Sequence, residues 1–255
     1  MTSNIAYQTE EIARYFSQNR VSWPQFYESE RVIIAQLNPA PGHDILDIGC
    51  GCGGLGLALR DQFAVTQYTG VEINPSAAKA AREMNPEANV LEGDILKLSQ
   101  SKLAGKTFDV VFSLSCVDWN VEFTRMLAAA WAHVAPGGHL VATFRLTDGD
   151  GCNDLQRSYQ YINYDSVREG ECASYVVLNA GALVKQLATF DPVEVNAFGY
   201  WGQPSVTAVT PYQKLCFAAF SLQKSKVTVS EATRFQLDLP AEILDAIAHV
   251  VPMDD

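Results

Sequence analysis

The residues best suited to chemistry lie in one short run, Asp47-Ile48-Gly49-Cys50-Gly51-Cys52-Gly53-Gly54. Residues 45–48 read as a buried strand and residues 55–63 as a helix. Glycines in a strand-to-helix turn permit a tight bend and let backbone amides approach a ligand closely. A second acid, Glu72, stands 19 residues beyond Gly53, at the end of the next expected strand, 68–73. A carboxylate there suits the two hydroxyls of a ribose. A third acid, Asp94, follows the strand 89–92 in the run Glu92-Gly93-Asp94-Ile95, where it can accept the amino group of an adenine. The spacing of Gly49, Gly51 and Gly54 also satisfies a dinucleotide pattern, which alone is a weak signal. Asp47 weighs against it, because an acid two residues before the first glycine would repel a pyrophosphate. It suits an adenosine whose far end is cationic.

Those acids need a sheet to hold them. Residues 9–20 read as a short amphipathic helix. A second helix is expected over 23–37, with Ser22 as N-cap, Gln25 completing a capping box and Pro24 in the first turn. Pro39, Pro41 and Gly42 stop it. Apolar strands then alternate with helices. Asn74-Pro75 starts one helix, residues 108–114 (FDVVFSL) form a strongly apolar strand, and a helix over 122–134 is ended by Pro136-Gly137-Gly138 before a strand at 139–146. This alternation argues an α/β, doubly wound, mostly parallel sheet. It breaks at Thr147. Residues 147–178 are polar and carry Tyr159, Tyr161, Tyr164 and Tyr175. A helix at 179–188 and strands at 193–198 and 215–222 follow. No helix fits between those two strands, so the final pair is expected to be antiparallel. Three units result: an N-terminal helical cap over 1–42, a core over 43–223 with an insert at 147–178, and an extension over 224–255 with one helix near 240–250.

The bulk properties narrow the function. A net charge of −11 over 255 residues disfavours a nucleic-acid substrate, since phosphate binders carry a basic footprint. No apolar run reaches the roughly 18 residues of a membrane span, and the polar N-terminus shows no secretory signal. A cytoplasmic location with reduced thiols is expected for the six cysteines, none of which has zinc-knuckle spacing. The run 148–154 looks superficially like a calcium loop, but Asn153 and Tyr159 stand where glycine and glutamate are required. No metal is implied.

The glycine run ILDIGCGCGGLG resembles the first motif of class I S-adenosylmethionine-dependent methyltransferases. GVEIN resembles their second, EGDI their third and FDVVFS their fourth, and APGGHL resembles the turn before their fifth strand. The likeness covers residues 44–222 with all motifs in order. It implies a seven-stranded sheet with the last strand antiparallel, and S-adenosylmethionine as cofactor. It places Asp47, Gly49 and Gly51 at the methionine end and Glu72 on the ribose, with Ile73 against the adenine. Asp94 would hold the adenine amino group with Ile95 beside it, and Ser113 would lie beneath the methionine moiety. Cys50 and Cys52 fall at variable positions of the motif and read as small fillers.

The acceptor side follows from position. Ligands of open α/β sheets sit at the carboxyl ends of the strands. The expected contributors are therefore the segment around Trp119, Arg145 on an anionic group, the tyrosine-rich insert, the loop around Trp201, and the N-terminal helices as a lid through Tyr15, Trp23 and Tyr27. No histidine lies at an expected strand end. Asp118 is the best candidate base, with capping of the following helix as its alternative role. The fourth motif lacks the Asn/Asp-Pro-Pro-aromatic run of amide and adenine methyltransferases. Together with the acidic charge, this points to oxygen or nitrogen of a small metabolite. Transfer to a protein or a sugar intermediate, or a non-catalytic S-adenosylmethionine-binding module, remain alternatives. No nucleic-acid or membrane partner is expected, and the oligomeric state is open, a homodimer included.

Overall fold

The strands at the centre of the chain are apolar on both faces, so they must be covered on both sides. In the computed structural model, which describes residues 10–163, 165–227 and 232–250, that is what the helices do. The order is α1 (Glu11–Phe16), a 3-10 turn (Trp23–Gln25), α2 (Glu28–Leu37), β1 (Asp44–Ile48), α3 (Gly54–Phe63), β2 (Gln67–Glu72), α4 (Pro75–Met84) and β3 (Asn89–Glu92). Then come α5 (Ile95–Leu98), β4 (Phe108–Ser113), a 3-10 turn (Val117–Trp119), α6 (Phe123–Ala132), β5 (Val134–Thr147), β6 (Tyr159–Tyr161), β7 (Cys172–Ser174) and β8 (Leu178–Asn179). The chain ends with α7 (Ala180–Ala188), β9 (Glu194–Gly202), β10 (Ala208–Val209), β11 (Leu215–Gln223), β12 (Arg234–Asp238) and α8 (Ala241–Ala248).

The main sheet runs β12-β9-β11-β5-β4-β1-β2-β3, with β8 paired to β5 off this path. Strands β1 to β5 are parallel, and β11 is antiparallel to both β5 and β9. The seven-stranded frame with a reversed last strand is therefore present. The 224–255 segment adds an eighth strand to its edge, because β12 lies parallel to β9. Strand order reverses at β1, whose neighbours are β2 and β4, and a crevice opens where the loops after β1 and β4 diverge. One face of the sheet packs Leu140, Phe144 and Phe220 against α6, α7 and α8. The other packs Phe112, Val141 and Ala219 against α2, α3 and α4.

Several elements depart from the sequence expectation. The helix expected over 23–37 is broken at Phe26 and Tyr27, both extended, with ψ of 151° and 152°. Two caps in succession cause the break. Gln25 Oε1 accepts the amides of Val21 and Ser22 and closes the 3-10 turn, while Glu30 Oε2 accepts the Tyr27 amide and starts α2. α2 is part of the core as well as a cap: Ile33 and Ile34 are almost fully buried against the sheet, worth about 1.5–3 kcal/mol each. Pro136-Gly137-Gly138 lies inside β5 as a bulge, because Phe108 pairs with Val134 and Val110 with His139. Gly137 takes φ +80°, which an L side chain resists. The insert, which has no evident period in sequence, forms β6 and β7, and these join β10 in a separate three-stranded antiparallel sheet. That sheet needs residues 208–209 as a partner, so no local pattern announces it. Tyr164 lies outside the described residues.

Candidate active site

A cavity of about 670 Å³ opens at the carboxyl ends of β1, β2, β4 and β5, a size typical of small-molecule sites. Its floor begins with the glycine turn, where Gly49, Gly51 and Gly53 all take positive φ. At Gly49 a Cβ would sit 2.5 Å from Cys116 Sγ, so no side chain fits. Cys50 and Cys52 are buried fillers, Cys52 donating to the Ala13 carbonyl at 3.3 Å. All six cysteines are free thiols.

Each of the three strand-end acids lines this cavity. Asp47 is buried and receives the Tyr68 hydroxyl at 2.5 Å. Burial pushes its carboxyl up to about 7, against the pull of the Tyr68 bond and the Arg20 charge. Glu72 is buried too. Its Oε2 accepts the Gly51 amide and its Oε1 the Asn74 amide, both at 2.8 Å. One carboxylate thus shapes the glycine turn and the start of α4 while facing the cavity, and burial raises its pKa. Asp94 accepts the Leu96 amide through Oδ1 at 2.9 Å and so caps α5 as well. Ile73 and Ile95 lie beside these acids on the wall.

The second half of the cavity is built around a buried ion pair. Arg145 Nε stands 2.8 Å from Asp118 Oδ2, and Arg145 Nη2 donates to the Asp118 carbonyl oxygen. Both side chains are 5% exposed. The guanidinium lies over Tyr175 at 3.8 Å from the ring centroid and over Trp119 at 4.8 Å. Burial raises the Asp118 pKa, and Arg145 opposes the rise. Asp118 Oδ1 has no hydrogen-bond partner. Asp118 does not cap the following helix, since Glu122 is the N-cap of α6 and no side chain caps it; Asn120 Oδ1 takes the Glu122 amide at 2.8 Å just ahead of it. The Val176 amide also donates to the Asp118 carbonyl, which ties the insert to this turn.

Three expected site residues lie off the cavity wall. Trp201 is absent from the cavity wall, while Tyr200 and Gly202 on either side of it are on the wall. Side chains alternate along a strand, so Trp201 points to the α8 face, where its Nε1 donates to Glu242 and Lys214 sits over its ring. Ser113 is fully buried below the floor and does not line the cavity. The rest of the wall includes Gln160, Tyr161 and Tyr175 from the insert, Gln203 and Ser205 from the 203–214 loop, and Tyr15 and Tyr27 from the N-terminal segment. Trp23 packs instead at the edge of the core with Phe63.

Arg20 was not legible as a site residue. It lines the cavity at φ +61°, bonds Glu30 Oε1 through Nη2 at 2.8 Å and leaves Nη1 without a partner. It lies between helices and carries no periodic signal, so only the fold brings it to the glycine turn.

Residues 46–140 match the family model described as methyltransferase domain. By this match residues 46–140 carry a methyltransferase domain, set on the sheet described above. Over 111 residues the chain is 31% identical to trans-aconitate 2-methyltransferase of Deinococcus radiodurans, covering 43% of this chain and 41% of that protein. It is 29% identical over 114 residues to ribosomal RNA small subunit methyltransferase C of Pseudomonas aeruginosa, covering 43% and 34%. The chain thus matches less than half the length of these curated relatives. Among solved structures, 1,6-didemethyltoxoflavin-N1-methyltransferase of Burkholderia thailandensis superposes with a TM-score of 0.51 at 17% identity, covering 83% of this chain and 82% of that one. The YcgJ protein of Bacillus subtilis gives 0.55 at 12%, covering 79% and 100%. These last two likenesses concern the fold. Among the described residues, no helix is long and apolar enough to cross a membrane.

Proposed function

We propose that this chain binds S-adenosylmethionine at the glycine turn and transfers its methyl group to an oxygen or nitrogen of a small, uncharged, ring-containing acceptor. The observation that carries this reading is the division of one cavity into two halves. Asp47, Glu72 and Asp94 occupy one half, and Trp119, Tyr175 and Tyr200 wall the other. The residues present fit the cofactor. Glu72 is held by two amides and would accept the ribose hydroxyls, Asp47 would supply a carboxylate for an ammonium, and Arg20 Nη1 is a shielded donor without a partner.

The cofactor supplies an electrophilic methyl on a sulfonium; the chain supplies everything else. The aromatic wall orients the acceptor for in-line attack, which alone can supply much of the rate. The insert sheet and the 203–214 loop cover the cavity and limit water around the reacting atoms. Asp118 would take the proton of an acceptor hydroxyl or N–H through Oδ1, with Arg145 beside it opposing the rise that burial gives its pKa. Arg145 is matched by its own acid, so this half offers no spare positive charge for a carboxylate acceptor. The excess of acidic residues over basic ones supports a small acceptor rather than RNA.

The test is methyl transfer from labelled S-adenosylmethionine to four acceptor sets: neutral phenols and heteroaromatic N–H compounds, carboxylates including trans-aconitate, small-subunit ribosomal RNA, and unfolded peptides. Label in the first set alone is expected. Label in trans-aconitate, RNA or peptide with a higher kcat/KM would overturn the acceptor class. Binding of the cofactor with no transfer to any set would favour a non-catalytic binding module.

A further inference from the structure

The cofactor proposed above carries an α-carboxylate as well as an α-ammonium, and none of the three strand-end acids can serve the carboxylate. A buried carboxylate needs a cation or several donors. Two cationic side chains line the cavity among the described residues, Arg20 and Arg145. Arg145 is already committed. Its Nη2 donates to the Asp118 carbonyl, its Nε lies 2.8 Å from Asp118 Oδ2 as an ion pair without a hydrogen bond, its plane is covered by Tyr175 and Trp119, and it stands in the aromatic half.

Arg20 is in a different state. Glu30 is fully buried and holds Nη2 at 2.8 Å, while Glu30 Oε2 is fixed by the Tyr27 amide. The guanidinium carbon rests 4.7 Å from the Phe26 ring centroid and 5.1 Å from that of Tyr27. The head group is thereby held in place with Nη1 shielded from solvent and lacking a hydrogen-bond partner, an arrangement that is unfavourable when nothing answers it. The backbone places it at the right end of the cavity. A Cβ on Gly54 would meet the Arg20 carbonyl oxygen, and the Phe16 ring lies 3.7 Å from where a Gly51 Cβ would be. The segment from α1 to Arg20 is thus laid directly on the glycine turn, and Arg20 and Asp47 act on each other electrostatically.

From this juxtaposition we infer that Arg20 binds the α-carboxylate of the cofactor, so that Arg20 and Asp47 together read its zwitterionic end; the inference rests on the proposed cofactor. It makes the N-terminal segment a specificity element, one that separates nucleosides with an intact amino-acid tail from those without.

The experiment is calorimetric titration of wild type, R20M and R20K with S-adenosylhomocysteine and with 5′-methylthioadenosine, which lacks the amino-acid end. R20M is expected to weaken S-adenosylhomocysteine at least about tenfold, the loss of one charge-assisted contact, and to leave methylthioadenosine within about twofold. R20K keeps the charge without the fork and should lose less, again for S-adenosylhomocysteine alone. Circular dichroism reports whether each variant is folded; if R20M is not, the R20K comparison decides. Equal weakening of both ligands would assign Arg20 to scaffolding, and an unchanged affinity for both would remove it from the site; either result overturns the inference. Wild type binding neither nucleoside would overturn the cofactor reading instead, and this inference with it.

Discussion

The Tyr68 hydroxyl on β2 donates to Asp47 Oδ2 on β1 across 2.5 Å, and both residues are buried. Phe at position 68 keeps the ring and removes this bond. Hydrogen bonds to charged groups contribute about 1.5–3 kcal/mol. Tyr68→Phe should therefore lower unfolding stability at pH 8 by up to that amount. It should also raise the pH below which S-adenosylhomocysteine affinity falls, because the Asp47 carboxylate loses a partner that stabilises its charge. Urea unfolding and calorimetry against pH check the two halves separately. An unmoved pH midpoint would show that Tyr68 does not tune Asp47.

Asp47 itself predicts a pH dependence with a definite sign. Its carboxyl is raised to about 7 in the folded chain, against 3.8 for an unperturbed aspartate. Between those values the folded form holds a proton that the unfolded form does not. The contribution of Asp47 to stability without cofactor is therefore fully present below the unfolded value and is lost as pH rises through about 7. Cofactor binding runs the other way, since only the ionised carboxylate meets an ammonium. Affinity for S-adenosylhomocysteine should fall by about tenfold per unit below that pH, and Asp47→Asn should bind weakly at every pH. A flat profile from pH 5.5 to 8.5 would exclude Asp47 from the ligand.

Glu72 has two duties, and they separate by substitution. Its oxygens accept the Gly51 and Asn74 amides, and the ribose hydroxyls are proposed as further donors. Glu72→Ala should weaken S-adenosylhomocysteine at least about tenfold, as expected for loss of charge-assisted bonds. Glu72→Gln, which keeps one carbonyl acceptor, should lie between wild type and Ala. Circular dichroism should show both variants folded. An unchanged dissociation constant for Glu72→Ala would mean another residue holds the ribose.

The Asp118–Arg145 pair predicts a non-additive pattern. Removing one partner of a buried pair leaves the other charge uncompensated, at a cost of about 3–5 kcal/mol. Asp118→Ala should thus destabilise strongly, whereas the double variant Asp118→Leu with Arg145→Met should recover much of the loss. Asp118→Asn is the milder probe of chemistry. It should keep S-adenosylhomocysteine affinity within about twofold and reduce kcat by about 10²-fold or more if Asp118 takes the acceptor proton. Full turnover by Asp118→Asn would leave the pair a purely structural role.

The path from residues to site was legible in part. Local pattern carried the glycine turn, the acids at the ends of β1 to β3, the parallel strands and the antiparallel final pair, because each depends on neighbours a few positions apart. Asn74 was readable as a cap for the same reason, and its side chain does accept the Ala77 amide. Trp201 differs from its expected place by one step of strand parity: sequence puts its segment in a loop at the cavity, but a strand that runs to Gly202 turns every second side chain away. The Pro136-Gly137-Gly138 run was read as a helix stop, yet its distinctive geometry comes from pairing with β4.

What the sequence determined by itself was the α/β class and the gathering of Asp47, Glu72 and Asp94 beside the glycine turn, since spacing along successive strand-turn-helix units sets which backbone amides and carboxylates converge. What only the tertiary structure decided was the rest of the cavity. Asp118 and Arg145 are 27 residues apart, and Arg20 reaches the glycine turn from a segment outside the sheet. The strand β12 joins an edge whose partner, β9, is itself placed by β11. Contacts of this kind are fixed by which surfaces must be buried together. Burial is non-directional and is settled by the whole sheet, so no periodicity within a short window encodes it.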